Sequence, residues 1–372
     1  MDAKKPDRIL KTLNSAGFAA YYVGGCVRDR LLGRPVHDWD VTTSALPQQV
    51  MALFPHCVPT GLRHGTVTVL LDGAQAEVTT FRAEGAYLDG RHPSEVRFVP
   101  QLDEDLARRD FTVNAMAMDL RGDVTDLFGG QRDLQARVLR CVGDPETRFR
   151  EDALRMLRAY RFCAQLGFTL DAKTSAAVSV CAPLAAALSI ERIRDELEKT
   201  LLSPRPQLLR EMAAAGLLAP AGLGPLPPLE WLAALPAEPA VRWTGLKILY
   251  PALDPIRLRL PGKLCALIGS AAEAYRPDTD RLALKRCIAA HGWDTASAVA
   301  ALSDTSALLA DIRASGECVT LRQLAVSGRD FPALRGPQIG QTLHALLEHV
   351  LLHPSDNTHR TLLLLAENLP PE

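Results

Sequence analysis

The sequence predicts an α+β fold: a small head with a mixed or antiparallel sheet, followed by an all-helical remainder. Short runs of β-branched and apolar residues mark the head, after a lead-in helix over 3–16 whose apolar residues recur at helical spacing. From about residue 140 the strand patterns stop and helical periods take over. We expect a head over 1–139 and a helical neck, body and tail over 140–205, 206–313 and 314–372.

The composition is typical of a globular protein with more than one domain. The 372 residues exceed what one compact core holds, and 47% are apolar and 23% charged. With a net charge of −1, a nucleic acid would have to be bound by local arginine patches. No apolar window is long enough to span a membrane, and the first residues are charged. We therefore expect a cytoplasmic protein. The cysteines show no zinc spacing, and we expect them to be reduced thiols in the core.

A glycine pair follows the first predicted strand. Residues 19–23 (AAYYV) predict a buried strand, so Gly24 and Gly25 lie where it meets a helix that begins near Val27. Glycine allows backbone amides to approach a phosphate closely. Arg28, in the first helical turn, adds donors beside the positive end of the helix dipole. The pattern indicates a phosphate site, and a solvated turn is the alternative.

Two aspartates follow this helix. On a strand predicted over 36–42, Asp38 and Asp40 point to the same face. Paired like charges indicate a bound cation, and Mg²⁺ suits carboxylates combined with substrate phosphates. A hairpin with an Asp-Gly turn at 72–73 makes Glu77 a candidate third carboxylate, with a solvated glutamate as the alternative. With the preceding glycines and arginine, these acids predict a metal-dependent nucleotidyl-transfer site.

The rest of the head combines a loop with a charged junction. Residues 82–97 have no apolar period and are predicted to form a loop. Residues 102–118 predict a helix that runs into a buried strand, with Arg108, Arg109 and Asp110 at the junction. There an aspartate can accept a hydrogen bond from a ribose hydroxyl while an arginine contacts phosphate; the alternative is a surface ion pair.

The neck is predicted to begin with one amphipathic helix over 147–168, and a second helix is predicted over 187–203. Asp152 and Arg155 share a face, and Arg161 falls near the apolar face, where an arginine needs an anionic partner. A carboxylate beside a guanidinium complements the amino group and ring acceptor of cytosine and adenine, and rejects uracil and guanine. We predict that this pair selects C and A; plain helix support is the alternative.

These motifs resemble the class II CCA-adding tRNA nucleotidyltransferases, a family of the polymerase β-type superfamily that also includes poly(A) polymerases. The matching stretches are GGCVRD at 24–29, DWD at 38–40, TFRAEGAYLDGRHP at 80–93, RRDFTVNAMA at 108–117, REDALRMLRAYRF at 150–162 and ERIRDELEK at 191–199. They occur in family order and at family spacing through the first two hundred residues. The segment 207–313 matches the family only in its helical pattern.

The resemblance implies template-independent addition of CCA to the 3′ end of tRNA from CTP and ATP. It implies that Asp38 and Asp40 are catalytic and bind Mg²⁺. The residues that it implies for nucleotide binding are Gly24, Gly25, Arg28, Arg109, Asp110, Asn114, Asp152, Arg155, Arg158 and Arg161. The helical neck, body and tail would bind the acceptor arm and elbow of tRNA by backbone shape.

Other activities on the same scaffold are the alternatives. Enzymes that add only A or only CC, and poly(A) polymerases, share the head and neck. The loop at 80–93 is tied in this family to the switch to A addition, which argues against a CC-only enzyme. A catalytically silent RNA-binding protein is the alternative of another class, and the sequence leaves a homodimer open.

Overall fold

The computed structural model describes residues 6–84 and 96–368. The chain divides into two compact units, Met1–Pro225 and Leu226–Glu372. The first unit contains the predicted head and neck and the first residues of the predicted body. The boundaries of the four predicted segments stay predictions.

The head begins with α1 (Asp7–Ser15), β1 (Ala20–Val23), α2 (Gly25–Leu31), β2 (Asp40–Thr43), α3 (Pro47–Leu53), β3 (Cys57–Gly61), β4 (Thr66–Leu71) and β5 (Ala74–Thr80). It continues with β6 (Arg82–Glu84), β7 (Val96–Phe98), α4 (Leu102–Ala107), β8 (Met116–Met118), β9 (Val124–Asp126), α5 (Gly130–Ala136) and β10 (Val138–Leu139). Within the described residues, one sheet has the order β3-β4-β5-β2-β1-β8-β9, with β2 parallel to β5 and the other pairs antiparallel. The predicted mixed sheet is confirmed.

Local sequence accounts for most of these elements. Buried Ile9, Leu10 and Leu13 form the apolar face of α1, which packs on β1 and β4. The turn between β4 and β5 consists of Asp72 and Gly73, with φ values of 52° and 74°, as a two-residue hairpin of the type I′ class requires. The predicted lead-in helix and hairpin are therefore confirmed.

The loop predicted over 82–97 is wrong at its ends. There β6 and β7 pair as antiparallel strands, with Arg82 opposite Phe98. The remainder of that loop, 85–95, lies outside the described residues.

The neck consists of α6 (Pro145–Glu151), α7 (Leu154–Leu166), β11 (Thr169–Leu170), α8 (Ala172–Cys181) and α9 (Ile190–Leu201), and α10 (Leu208–Ala214) follows. The single helix predicted over 147–168 is wrong, because the backbone leaves the helical region at Asp152 (φ −146°, ψ 105°). The Asp152 carboxylate accepts a hydrogen bond from the Leu154 amide at 3.0 Å, which competes with continued helix. A further departure from an all-helical neck is β11, which pairs in parallel with β10.

The described residues of the second unit form helices joined by turns and loops, without a strand. Its helices are α11 (Glu230–Ala234), α12 (Pro239–Leu249), α13 (Gly262–Ala274), α14 (Arg281–Leu302), α15 (Ser306–Ser315), α16 (Pro337–Leu352) and α17 (His359–Glu367). A kink at Gly292 interrupts α14. The cysteines of the chain are all free, as predicted. Across 6–84 and 96–368, none of the helices is both long and apolar enough to cross a membrane.

Candidate active site

The glycine pair lies at the junction of β1 and α2. The helix begins at Gly25, two residues before the predicted start, and Gly24 precedes it with φ 76° and ψ −132°. A Cβ atom at Gly24 would lie 3.2 Å from Nη1 of Arg109 and 3.7 Å from Oδ2 of Asp40. The positive φ favours glycine here, and an added Cβ atom would also crowd the end of the Arg109 side chain. The guanidinium of Arg109 and the carboxylate of Asp40 therefore both pack against Gly24, beside the start of α2.

The predicted carboxylates come together, although not on one strand. The strand predicted over 36–42 is wrong in its first half, because β2 begins at Asp40 and Asp38 lies in a bend before it. Asp40 is paired in parallel register with Glu77 of β5. All three acids line one cavity of about 720 Å³, together with Trp39.

The charges around Asp40 explain its titration. Burial raises the pKa of Asp40, Arg109 opposes this rise, and the negative charges of Glu77 and Asp38 add to it. A bound cation would relieve the repulsion among these acids. Oxygen donors of this kind fit a hard divalent ion that completes its coordination with substrate oxygens and water.

The described residues do not form a closed metal site. Among them, no group of three or more His, Cys, Asp or Glu side chains is arranged to hold a metal ion by itself. The fit therefore rests on Asp38 and Asp40, and Glu77 stays a candidate third ligand.

A hydrogen-bonded network of nucleotide-site candidates joins α2, the turn after α4, and α7. Arg28 donates to Oδ1 of Asn114 at 2.7 Å, and Nδ2 of Asn114 donates to Asp110 at 3.2 Å. Arg158 donates twice to Oδ2 of Asp110, at 2.9 and 2.6 Å. Burial alone would raise the pKa of Asp110, but Arg158 and the hydrogen bonds lower it to about 2. Asp110 is therefore ionised and orients both Asn114 and Arg158.

Three arginines surround the ring of Phe162. The guanidinium carbons of Arg28, Arg158 and Arg161 lie 5.3, 5.2 and 3.8 Å from the ring centroid. Arg161 also has the anionic partner that an arginine near the apolar face of a helix requires, because it donates a hydrogen bond to Glu196 of α9. Glu196 is only 3% exposed. Arg28, Arg161 and Phe162 are buried, and each of the three guanidinium groups is paired with a carboxylate, from Asp29, Asp110 and Glu196 respectively.

Asp105 is a site residue that the sequence reasoning missed. It is fully buried and pairs with Arg108 at 2.6 Å and Arg109 at 3.2 Å. Burial would raise its pKa, but these two arginines lower it. The spacings of three and four residues along a helix were the available signal. Nε of Arg109 is buried without a hydrogen-bond partner in the described residues.

Asp152 and Arg155 do not pair with each other. Asp152 accepts from Arg192 at 2.8 Å, and Arg155 donates to Glu151 at 2.6 Å. Arg155 also donates to the carbonyl oxygen of Arg108 at 3.3 Å, which links α7 to the Arg-Arg-Asp segment. The sequence reasoning missed both partners, Arg192 and Glu151. The two predicted base-reading side chains are therefore held next to the arginine network.

Parts of the chain are similar to known proteins. Residues 20–140 match the Poly A polymerase head domain, and residues 167–221 match the family described as a probable RNA and SrmB-binding site of polymerase A. A CCA-adding enzyme of Lactobacillus helveticus is 56% identical over 196 residues, which cover 53% of this chain and 49% of that enzyme. One from Geobacillus thermodenitrificans is 50% identical over 243 residues, covering 64% of this chain and 58% of that enzyme. These matches thus span about half the length of the relatives.

A solved structure matches along nearly the whole chain. The CCA-adding enzyme of Bacillus stearothermophilus in complex with CTP is 35% identical, with a TM-score of 0.86. The match covers 99% of this chain and 98% of that one. The predicted family and the predicted α+β fold are confirmed, and the chain belongs to the family of CCA-adding enzymes.

Proposed function

We propose that the chain adds C, C and A to the 3′ end of tRNA, using CTP and ATP without a nucleic-acid template. The observation that carries the proposal is that the side chains of Asp40 and Arg109 both lie against Gly24, so that an acid suited to a cation and a donor for phosphate flank the start of α2. The chain-long similarity to an enzyme that was solved with CTP supports it.

The proposed cofactor is Mg²⁺. Nucleotidyltransferases of this family generally use divalent metal ions. Asp38 and Asp40 would hold the metal, with Glu77 as a further candidate ligand. When bound, two such ions would activate the tRNA 3′ hydroxyl and neutralise the triphosphate.

The arginine network would bind the incoming nucleotide. Arg28, in α2, and Arg109, whose Nη1 lies close to Gly24, would supply donors for the triphosphate beside the amides of Gly24 and Gly25. Asp110 would accept from the ribose, held in place with Asn114. Arg158 and Arg161 would support the nucleotide by charge and stacking, since both already pack on Phe162.

Asp152 and Arg155 would read the base. A carboxylate has about four lone-pair sites and a guanidinium five N–H donors, so each side chain can bind a base edge while Arg192 and Glu151 orient it. The carboxylate would accept from the amino group of cytosine or adenine, and the guanidinium would donate to the neighbouring ring nitrogen. Uracil and guanine present a carbonyl and an N–H at these points, and both would be repelled.

The proposed partner is tRNA, with its acceptor arm and elbow bound by the helical neck, body and tail. Recognition of backbone shape suits a partner whose sequence varies. We place the activity in the cytoplasm, where tRNA and nucleoside triphosphates occur together. A homodimer stays open.

The test is incubation of the full chain and Mg²⁺ with tRNA that ends at the discriminator base, with each nucleotide separately and then together. We expect CTP alone to add two residues, ATP alone to add none, and both together to complete CCA. An A-adding enzyme would act only on tRNA that already ends in CC, and a CC-adding enzyme would stop before A. A poly(A) polymerase would extend with ATP alone, and any of these results would contradict the proposal.

Gly24→Ala tests the close packing of Arg109 and Asp40 against Gly24. We expect backbone strain to cost about 1–3 kcal/mol of stability, and displacement of Arg109 to lower incorporation about 100-fold. Gly33→Ala is the matched control, because Gly33 also has a positive φ of 66°, but a Cβ there would meet no atom within 4 Å. Urea unfolding and single-turnover incorporation measure the two effects. Equal incorporation in both variants would show that the packing against Gly24 has no role in nucleotide incorporation.

A further inference from the structure

The first helix, α1, packs on β1, which pairs with β2, the strand that begins at Asp40. It precedes the part of the chain that matches the polymerase head, which starts at residue 20. Its first turn carries Asp7, whose Oδ1 accepts a hydrogen bond from Oη of Tyr22 at 2.7 Å. Tyr22 is 1% exposed. Burial and this hydrogen bond raise the pKa of Tyr22, so its hydroxyl stays protonated and donates to Asp7.

Tyr22 continues the connection to the metal-site segment. Its ring packs on the ring of Trp39, with centroids 4.8 Å apart and planes tilted by 56°. The carbonyl oxygen of Trp39 accepts from the amide of Glu77 at 3.0 Å. Trp39 is therefore held at its ring from β1 and at its backbone from β5.

Trp39 lies in the sequence between the two predicted metal ligands, Asp38 and Asp40. Asp40 belongs to β2, so the sheet ladder fixes its backbone. Asp38 lies in the bend before the strand, is exposed, and has no such ladder. The position of its carboxylate therefore depends on what holds the next residue.

We propose that α1 positions the carboxylate of Asp38 for the divalent ion, through Tyr22 and Trp39. This inference rests on the proposed metal-binding role of Asp38. Asp7 and Tyr22 are positioning residues, because they act through Trp39 and do not touch the ion.

The test is Mn²⁺ binding to the full chain without nucleotide, measured by electron paramagnetic resonance, together with hydrogen exchange of the peptide over 36–41 without metal. Asp7→Ala should weaken Mn²⁺ binding about two- to tenfold, the range expected for one lost hydrogen bond, and speed exchange of this peptide. Asp7→Asn should bind like the unaltered chain, because a carboxamide oxygen still accepts from Tyr22.

Arg8→Ala is the matched control. Arg8 lies in the same turn of α1 and pairs with Asp72 of the hairpin, and both side chains are exposed. Its loss should leave Mn²⁺ binding and exchange over 36–41 unchanged. If Asp7→Ala does not fold, Tyr22→Phe removes the same hydrogen bond and keeps the ring on Trp39, with the same result expected.

Asp38→Ala separates the inference from the proposed function. If Asp38→Ala loses Mn²⁺ and Asp7→Ala binds it normally, α1 only adds stability and the inference is wrong. Equal weakening in Asp7→Ala and Arg8→Ala would also overturn it. If Asp38→Ala itself binds Mn²⁺ normally, the metal assignment fails, whatever Asp7→Ala does.

Discussion

Asp38→Ala is expected to abolish nucleotide incorporation and to leave tRNA affinity nearly unchanged. Asp38 is exposed and lies outside the sheet, so its loss should not disturb the core. A lost metal ligand removes several kcal/mol of transition-state stabilisation, which corresponds to at least about a 100-fold loss of rate. Single-turnover incorporation of CTP and filter binding of tRNA measure the two quantities.

Asp123→Ala is the control for this variant. Asp123 is another exposed aspartate of the head, and it pairs with Arg121 at 3.1 Å. We expect this variant to retain full incorporation. Turnover that survives in Asp38→Ala would show that the metal assignment is wrong.

Arg155→Ala is expected to lose discrimination against UTP and GTP. The guanidinium would donate to the ring acceptor of C or A and repel the N–H of U or G. Its removal therefore weakens binding of C and A and removes the repulsion of U and G. Hydrogen bonds to charged groups contribute about 1.5–3 kcal/mol, so selectivity for CTP over UTP should fall about 10- to 100-fold. Ratios of kcat/KM for single-nucleotide addition measure the change.

Arg155 also supports local structure, so this prediction needs a control from the same cluster. Arg148 shares the partner of Arg155, since it pairs with Glu151 at 3.0 Å. Arg148→Ala should therefore reproduce any loosening of Glu151 without a change in nucleotide selectivity. Unchanged selectivity in Arg155→Ala, or an equal change in both variants, would count against base reading by Arg155.

The parts of the site that the sequence predicted correctly depend on local rules. The glycine pair follows a short buried strand, and a Gly at a positive φ marks such a junction. The Asp72-Gly73 turn fixes the register of β4 and β5. These features need only neighbours along the chain.

Two errors concern the residues at which a predicted strand or helix is interrupted. The strand predicted before Asp40 is missing because β1, the neighbour of β2, ends where the chain enters α2 at Gly24. On the β1 side of the sheet, no strand is therefore left to pair with the residues before Asp40. The helix break at Asp152 is hidden by helical patterns on both sides of it, while the side chain itself caps the Leu154 amide.

The partners that the sequence did not show are distant in the chain. Arg161 and Glu196 lie 35 residues apart, and Asp152 and Arg192 lie 40 apart. Helical spacing shows pairs within one helix, so it cannot show pairs between α7 and α9 or between α9 and the break before α7. The need of Arg161 for an anion was predictable, whereas the identity of Glu196 was not.

The most direct test of the account is a crystal structure of the chain with CTP and a tRNA that ends at the discriminator base. We predict the amino group of cytosine within about 3.2 Å of the Asp152 carboxylate, and the Arg155 guanidinium facing the ring nitrogen. We also predict the triphosphate between Arg109 and the carboxylates of Asp38 and Asp40. A base bound beyond hydrogen-bonding reach of both Asp152 and Arg155 would contradict selection of the nucleotide by the protein.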